Sequence, residues 1–150
     1  MAKAREIAGL EPALPFAEAA ARVLEVRAGE LFEHAAGVLD VDAIERVHDM
    51  RVATRRLRAV LEIFAPCFPS RAHRRVLRDV TALAAALGAR RDPAVQIVAL
   101  RAYAERAPQA DAAGVRRLVD RLRTEQAGAN AGLAAALAEM ERGDLHGRLE

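Results

Sequence analysis

The sequence predicts an all-α protein, an antiparallel four-helix bundle with long helices. Apolar residues make up 53% of its 150 residues and aromatic residues only 3%, so the core must consist mainly of Ala, Leu and Val. Ala and Leu are strong helix formers, and the chain has few of the aromatic or Thr-rich runs that strands favour. Four stretches with helical periodicity, separated by proline and glycine, supply the helices.

The first two helices are predicted over residues 16–38 and 42–64. In both, apolar residues recur near the helical period. Asp42 is the expected N-cap of the second helix, because Glu45 three residues later completes a capping-box-like pair. Pro66 marks its end.

The third helix is predicted over residues 71–87, with Ser70 as its cap. Gly88 either ends this helix or only interrupts it, since Pro93 can open a continuation through Tyr103.

The last helix is predicted over residues 111–149, with a bend near residues 128–132. We interpret residues 1–15 as an N-terminal extension and residues 16–150 as a single bundle.

Composition also constrains the location of the protein. Cys67 is the only cysteine, which excludes an internal disulfide and fits a reducing compartment. The N-terminus does not read as a secretion signal, and no apolar run approaches the roughly 20 residues of a membrane span. We therefore expect a soluble, cytoplasmic protein that does not bind membranes.

Positive charge is concentrated in the middle of the chain, although the formal net charge is only +2. Between Glu45 and Arg101 there are twelve arginines and five acids. On a helical wheel, one basic band roughly 80° wide lies apart from the apolar face of the second helix. Its members are His48, Arg51, Arg55 and Arg58. A second band on the third helix contains Arg71, Arg74, Arg75 and Arg78.

Antiparallel packing of these two helices would merge the bands into one basic surface. The planar guanidinium group of arginine matches the geometry of phosphate oxygens. A polyanion is therefore the expected ligand.

Two motifs closely resemble those of CHAD domains, the conserved histidine α-helical domains. Residues 47–58 (VHDMRVATRRLR) resemble the signature helix, and residues 87–95 (LGARRDPAV) resemble a second family segment. Members of that family are helical bundles that bind inorganic polyphosphate, and many are fused to or encoded near triphosphate-hydrolysing tunnel domains. The resemblance implies a polyphosphate-binding protein, with a triphosphate-hydrolysing enzyme as a candidate partner and polyphosphate granules as a site of association.

The resemblance covers residues 16–150 and corresponds to one of the two four-helix halves of a typical CHAD domain. No second helix bearing His and Arg follows, and His146 is expected to be a surface or capping residue. Two interpretations follow: a half-length, single-bundle member that forms a homodimer, which we expect, or a truncated piece of a longer domain. The surface predicted for this pairing comprises Leu133, Leu137 and Met140 with the small residues Ala131, Ala134, Ala135 and Ala138.

The predicted site contains no catalytic residue. The sequence has no Gly-rich phosphate loop and no carboxylate cluster for Mg²⁺. We expect no cofactor and no metal, because His34 and His73 do not pair with acids or with Cys67 in the sequence. The predicted polyphosphate contacts are His48, Arg51, Arg55, Arg56, Arg58, Arg74 and Arg78. Arg71, Arg75, Arg90 and Arg91 are predicted to extend these contacts into a longer polyphosphate-binding track.

Two alternatives remain open at the level of sequence. A basic surface attracts any phosphate backbone, so general polyanion or nucleic-acid binding is the stronger one. Against it, the basic bands carry no aromatic residues for stacking on bases. The more remote alternative is a histidine phosphotransfer domain that uses His48, but the glycine usual after such a histidine is absent.

Overall fold

The structure is a computed structural model that describes residues 3–149; the predicted domain ranges also include residues 1, 2 and 150, which lie outside it. The described residues form four α-helices and no strand, which confirms the predicted all-α class. The helices are α1 (Phe16–Glu33), α2 (Ile44–Ile63), α3 (Ser70–Ala104) and α4 (Ala112–Arg142). None of them combines the length and the continuous apolar character that a membrane span requires.

Consecutive helices pack against each other, α1 on α2, α2 on α3 and α3 on α4. The main core lies among all four helices and contains Leu31, Met50, Leu57, Leu83, Leu87 and Leu133, none of which is more than 2% exposed. A smaller cluster around Ile97, Val119 and Leu122 joins only α3 and α4. At 1.5 Å per residue α3 is about 52 Å long and α2 about 30 Å, so α3 and α4 extend beyond the other helices as a two-helix arm.

Both predicted N-caps are wrong. α2 begins at Ile44 after Ala43, because the backbone N–H of Asp42 is held at 3.0 Å by the Asp40 carboxylate in the preceding turn. α3 already includes Ser70, since the carbonyl of Pro69 accepts the backbone N–H of His73 at 3.0 Å. Neither helix start has a side-chain cap.

α3 continues through Gly88 and Pro93 as one helix, which settles the choice the sequence left open. Proline inside a helix removes a backbone donor and costs about 3 kcal/mol. Pro93, Ala94 and Ile97 are all buried. We attribute the unbroken helix to this burial, because the apolar contacts formed along the arm offset the lost hydrogen bond.

α1 and α4 are shorter than predicted. α1 ends at Glu33 rather than residue 38, and α4 ends at Arg142 rather than residue 149. After α4 the chain turns back through Asp144, whose φ is 47°, and buries Leu145 and Leu149 in the core. His146 is exposed, as predicted for a surface residue, with its ring 4.5 Å from that of Phe32.

The last-helix surface predicted for pairing two copies is partly used within the protomer. Leu133 is fully buried, and Leu137 and Met140 pack against the core. The turn after α1 lies beside Ala134 and Ala138. Ala131 and Ala135 are exposed, and pairing of two copies stays a prediction.

Candidate functional site

The basic band of α2 faces away from the core. Met50, Leu57 and Leu61 on the opposite side are buried. Arg51, Arg55 and Arg58 lie on one face of the helix, because residues three and four apart are neighbours there. This face is opposite the core, and all three side chains are exposed. His48, one turn before Arg51, is half-buried.

A surface groove of about 310 Å³ runs between α2 and α3. Its α2 wall is formed by Arg51, Arg55 and Arg58. Its α3 wall is formed by three residues that the sequence-based prediction missed, namely Thr81, Ala84 and Ala85. Sequence spacing could have identified two of them, because Thr81 and Ala85 follow Arg78 by three and seven residues.

Arg74 and Arg78 continue the α3 side of this groove toward the start of α3. Both are exposed, and Arg74, Arg78, Thr81 and Ala85 succeed one another at intervals of three or four residues. The groove places the arginines of α2 opposite residues 81–85. In this antiparallel register Arg74 and Arg78 lie level with the end of α2.

Most of these arginines are not neutralised by acids. Arg58 pairs with Glu62 through Nε and Oε1 at 2.9 Å, and Arg78 approaches Asp79 at 3.4 Å. Within residues 3–149, no acid forms an ion pair with Arg51 or Arg55 of α2. The same holds for three exposed arginines at the start of α3, which are Arg71, Arg74 and Arg75. The groove and its continuation therefore carry uncompensated positive charge.

Arg56 points toward α1 and not into the groove. Its Nη1 lies 3.9 Å from Oε2 of Glu30, which is buried. The other carboxylate oxygen of Glu30 accepts hydrogen bonds from Arg27 at 2.7 Å and from the backbone N–H of Arg5 at 2.6 Å. Arg56 therefore belongs to a network that joins α1, α2 and the N-terminal segment, unlike the predicted groove contacts.

Arg90 is an internal residue, and its predicted position on an exposed track is wrong. Its side chain is fully buried, with Nε donating to Oδ1 of Asn130 at 3.0 Å and Nη2 donating to the carbonyl of Val41 at 3.2 Å. Burial lowers the pKa of its guanidinium, and the nearby charge of Asp40 opposes that shift. The sequence carried a signal for this, because Arg90 follows Leu83 by seven and Leu87 by three residues and so continues the apolar face.

Arg91 lines a separate groove of about 470 Å³ near the start of α2. Asp42 and Glu45 line the same groove, together with Val95 and Val98. The acids give this second groove a mixed charge. Arg91 thus lies beyond the uniformly basic region.

The remaining histidines and the cysteine do not assemble a metal site. Residues 3–149 contain no group of three or more His, Cys, Asp or Glu side chains arranged to hold a metal ion. Nε2 of His73 lies 2.8 Å from the carbonyl oxygen of Leu61, and the ring stacks on Phe68. Cys67 is a free thiol, half-buried in the short 3-10 turn before α3.

Comparison with known proteins gives one match. The family model described as CHAD domain matches residues 22–150, which is most of the chain and includes both basic helices. No curated protein and no solved structure has significant similarity to the chain.

Proposed function

Because the chain belongs to the CHAD domain family, we propose that it binds inorganic polyphosphate through the groove between α2 and α3. CHAD domains are associated with polyphosphate binding. The observation that carries the proposal for this chain is the α2 wall of the groove. There Arg51, Arg55 and Arg58 stand side by side at the surface.

The charges of the groove suit a polymer of phosphates. Arg51 and Arg55 have no acidic partner among the described residues, so no ion pair must break before they bind an anion. Guanidinium groups form charge-assisted hydrogen bonds to phosphate oxygens, roughly twice as strong as neutral ones. Arg74 and Arg78 lengthen the track at one end, with Arg71 and Arg75 beside them, and His48 donates a hydrogen bond at the other.

The proposed role is binding without catalysis. The groove is lined by three guanidinium groups, two alanines and one hydroxyl group. That hydroxyl, of Thr81, donates to the carbonyl of Leu77 at 2.7 Å. Such a lining holds an anion by charge, and none of its six side chains is a carboxylate or an imidazole.

Nucleic acid is the second candidate ligand, because the same charges attract any phosphate backbone. The groove lining contains no aromatic ring on which a base could stack. Phosphotransfer to His48 has less support, since the adjoining row of arginines exceeds what one phosphoryl group needs.

The proposal includes self-association, because two grooves on one polymer raise avidity without any new contact. The surface proposed for it is formed by exposed apolar side chains of the α3–α4 arm. They are Val95, Val98, Tyr103 and Leu118, each between 44% and 51% exposed. The triphosphate-hydrolysing enzyme partner is a further element of the proposal, and it rests on the family alone.

Titration with polyphosphates of graded length at several salt concentrations tests the proposed function. Each phosphate contact releases counterions, so the binding constant should fall steeply as salt rises. Longer chains should bind more tightly until the track is filled. A binding constant that does not change with salt would contradict the proposal, and preferential binding of single-stranded DNA in competition would favour the second candidate.

A further inference from the structure

The two walls of the groove differ in chemistry. The α2 wall carries three arginines, whereas the α3 wall carries only Thr81, Ala84 and Ala85. The hydroxyl proton of Thr81 is already donated to Leu77 within α3. The α3 wall therefore offers an anion no side-chain donor, and its contribution is the space that small side chains leave open.

This open space continues along α3. Gly88 follows Ala84 by one helical turn, and a Cβ atom added there would meet no heavy atom within 4 Å. In the antiparallel register of the two helices, Gly88 lies at the level of His48. From Thr81 to Gly88, the residues on the groove side of α3 therefore have small side chains or none, opposite the whole basic band of α2.

We infer that the small side chains of the α3 wall select an unsubstituted phosphate chain over nucleic acid. The inference rests on the proposed function and adds a basis for specificity to it. A polyphosphate chain carries nothing but oxygen on phosphorus, so it can lie within the groove against Arg51, Arg55 and Arg58. Every phosphate of a nucleic acid bears sugars and bases, which keep the backbone at the rim.

The arginines alone do not provide this selection, because they attract both polymers by charge. Specificity between two ligands is a difference of affinities, and it arises when one of them is kept from the favourable position. The shape of the α3 wall, unlike the charge of the arginines, affects the two polymers differently. Ala85 is exposed and Ala84 half-buried, so both can be enlarged from the groove side.

Ala85→Leu, with Ala84→Leu as a second variant, tests the inference. Leucine is a strong helix former, and unchanged helical circular dichroism would establish that α3 is intact. Ala131→Leu is the matched control, because Ala131 is an exposed alanine on α4 away from the groove. The affinities of a long polyphosphate and of oligothymidylate are measured at several salt concentrations.

We expect polyphosphate affinity to fall about tenfold in the groove variants, as for the loss of one charge-assisted hydrogen bond. The slope of log K against log salt should stay unchanged, because no charge is removed, and oligothymidylate affinity should not change. Unchanged polyphosphate affinity, or an equal loss for both polymers, would overturn the inference. The unmodified protein tests the proposed function separately, since absence of salt-dependent polyphosphate binding there would overturn both.

Discussion

The side chains of Arg90 and Asn130 are joined by a hydrogen bond of 3.0 Å between Nε and Oδ1, 40 residues apart in the sequence. The amide group of Asn130 also donates to the carbonyl of Leu39 at 3.1 Å. Arg90 itself donates to the carbonyl of Val41. This pair therefore fastens the segment between α1 and α2 to α3 and α4.

Replacing Asn130 by alanine should destabilise the fold by about 2 kcal/mol, because a buried charged donor loses its partner. The free energy of unfolding in urea measures this. Gln96→Ala, which removes an exposed amide from α3, is the control and should change stability by less than about 0.5 kcal/mol. Polyphosphate affinity should stay the same in Asn130→Ala, and its loss in a stably folded variant would place Arg90 in the binding site.

Reversing the charge of Arg55 and Arg58 together should reduce polyphosphate affinity by at least about a hundredfold, since two contacts of roughly 1.5–3 kcal/mol each are lost. The slope of log K against log salt should fall by about one for each phosphate contact removed. Arg116→Glu with Arg117→Glu makes the same charge change on the exposed surface of α4. If both double variants bind alike, only net charge matters and the groove is not the site.

Removing the charge of Glu62 should strengthen binding. Its carboxylate holds the guanidinium of Arg58 at 2.9 Å and so competes with phosphate. Exposed ion pairs contribute roughly 0.2–1 kcal/mol, so Glu62→Gln should raise polyphosphate affinity up to about fivefold. Glu125→Gln breaks an equivalent i,i+4 pair with Arg121 on α4, and a similar gain in that variant would show that the effect is not local.

His48→Ala should weaken polyphosphate binding about two- to tenfold, because the α2 row loses one hydrogen-bond donor to a phosphate oxygen. His34→Ala removes a histidine that is also half-buried but lies just after α1, so it is the control and should leave the affinity unchanged. Equal affinities of the unmodified protein and His48→Ala would remove His48 from the track.

Light scattering over a concentration series, with and without polyphosphate, tests self-association. We expect a dimer that is favoured by the polymer. Val98→Asp introduces a charge on the arm and should yield monomers, while Ile63→Asp at the exposed end of α2 should not. A strict monomer under both conditions would exclude the dimer and leave one groove acting alone.

The helix faces and the basic row of α2 were determined by the sequence itself. Apolar and basic residues there repeat at helical spacing, so Arg51, Arg55 and Arg58 had to project together once Met50 and Leu57 entered the core. The two family motifs lie within the matched residues 22–150. The match gives the residues of this chain that resemble the family model, and it does not test whether the chain is a half-length member. That interpretation therefore stays a prediction.

Only the tertiary structure decided the positions of Arg56 and Arg90 and the composition of the second wall of the groove. Periodicity fixes the direction of a side chain about its own helix axis but does not specify which neighbouring element covers that direction. Arg56 meets the buried Glu30 of α1, and Arg90 meets Asn130 of α4. Thr81, Ala84 and Ala85 carry no charge that would mark them in a sequence, and they form a binding wall only because α3 packs antiparallel beside the arginines of α2.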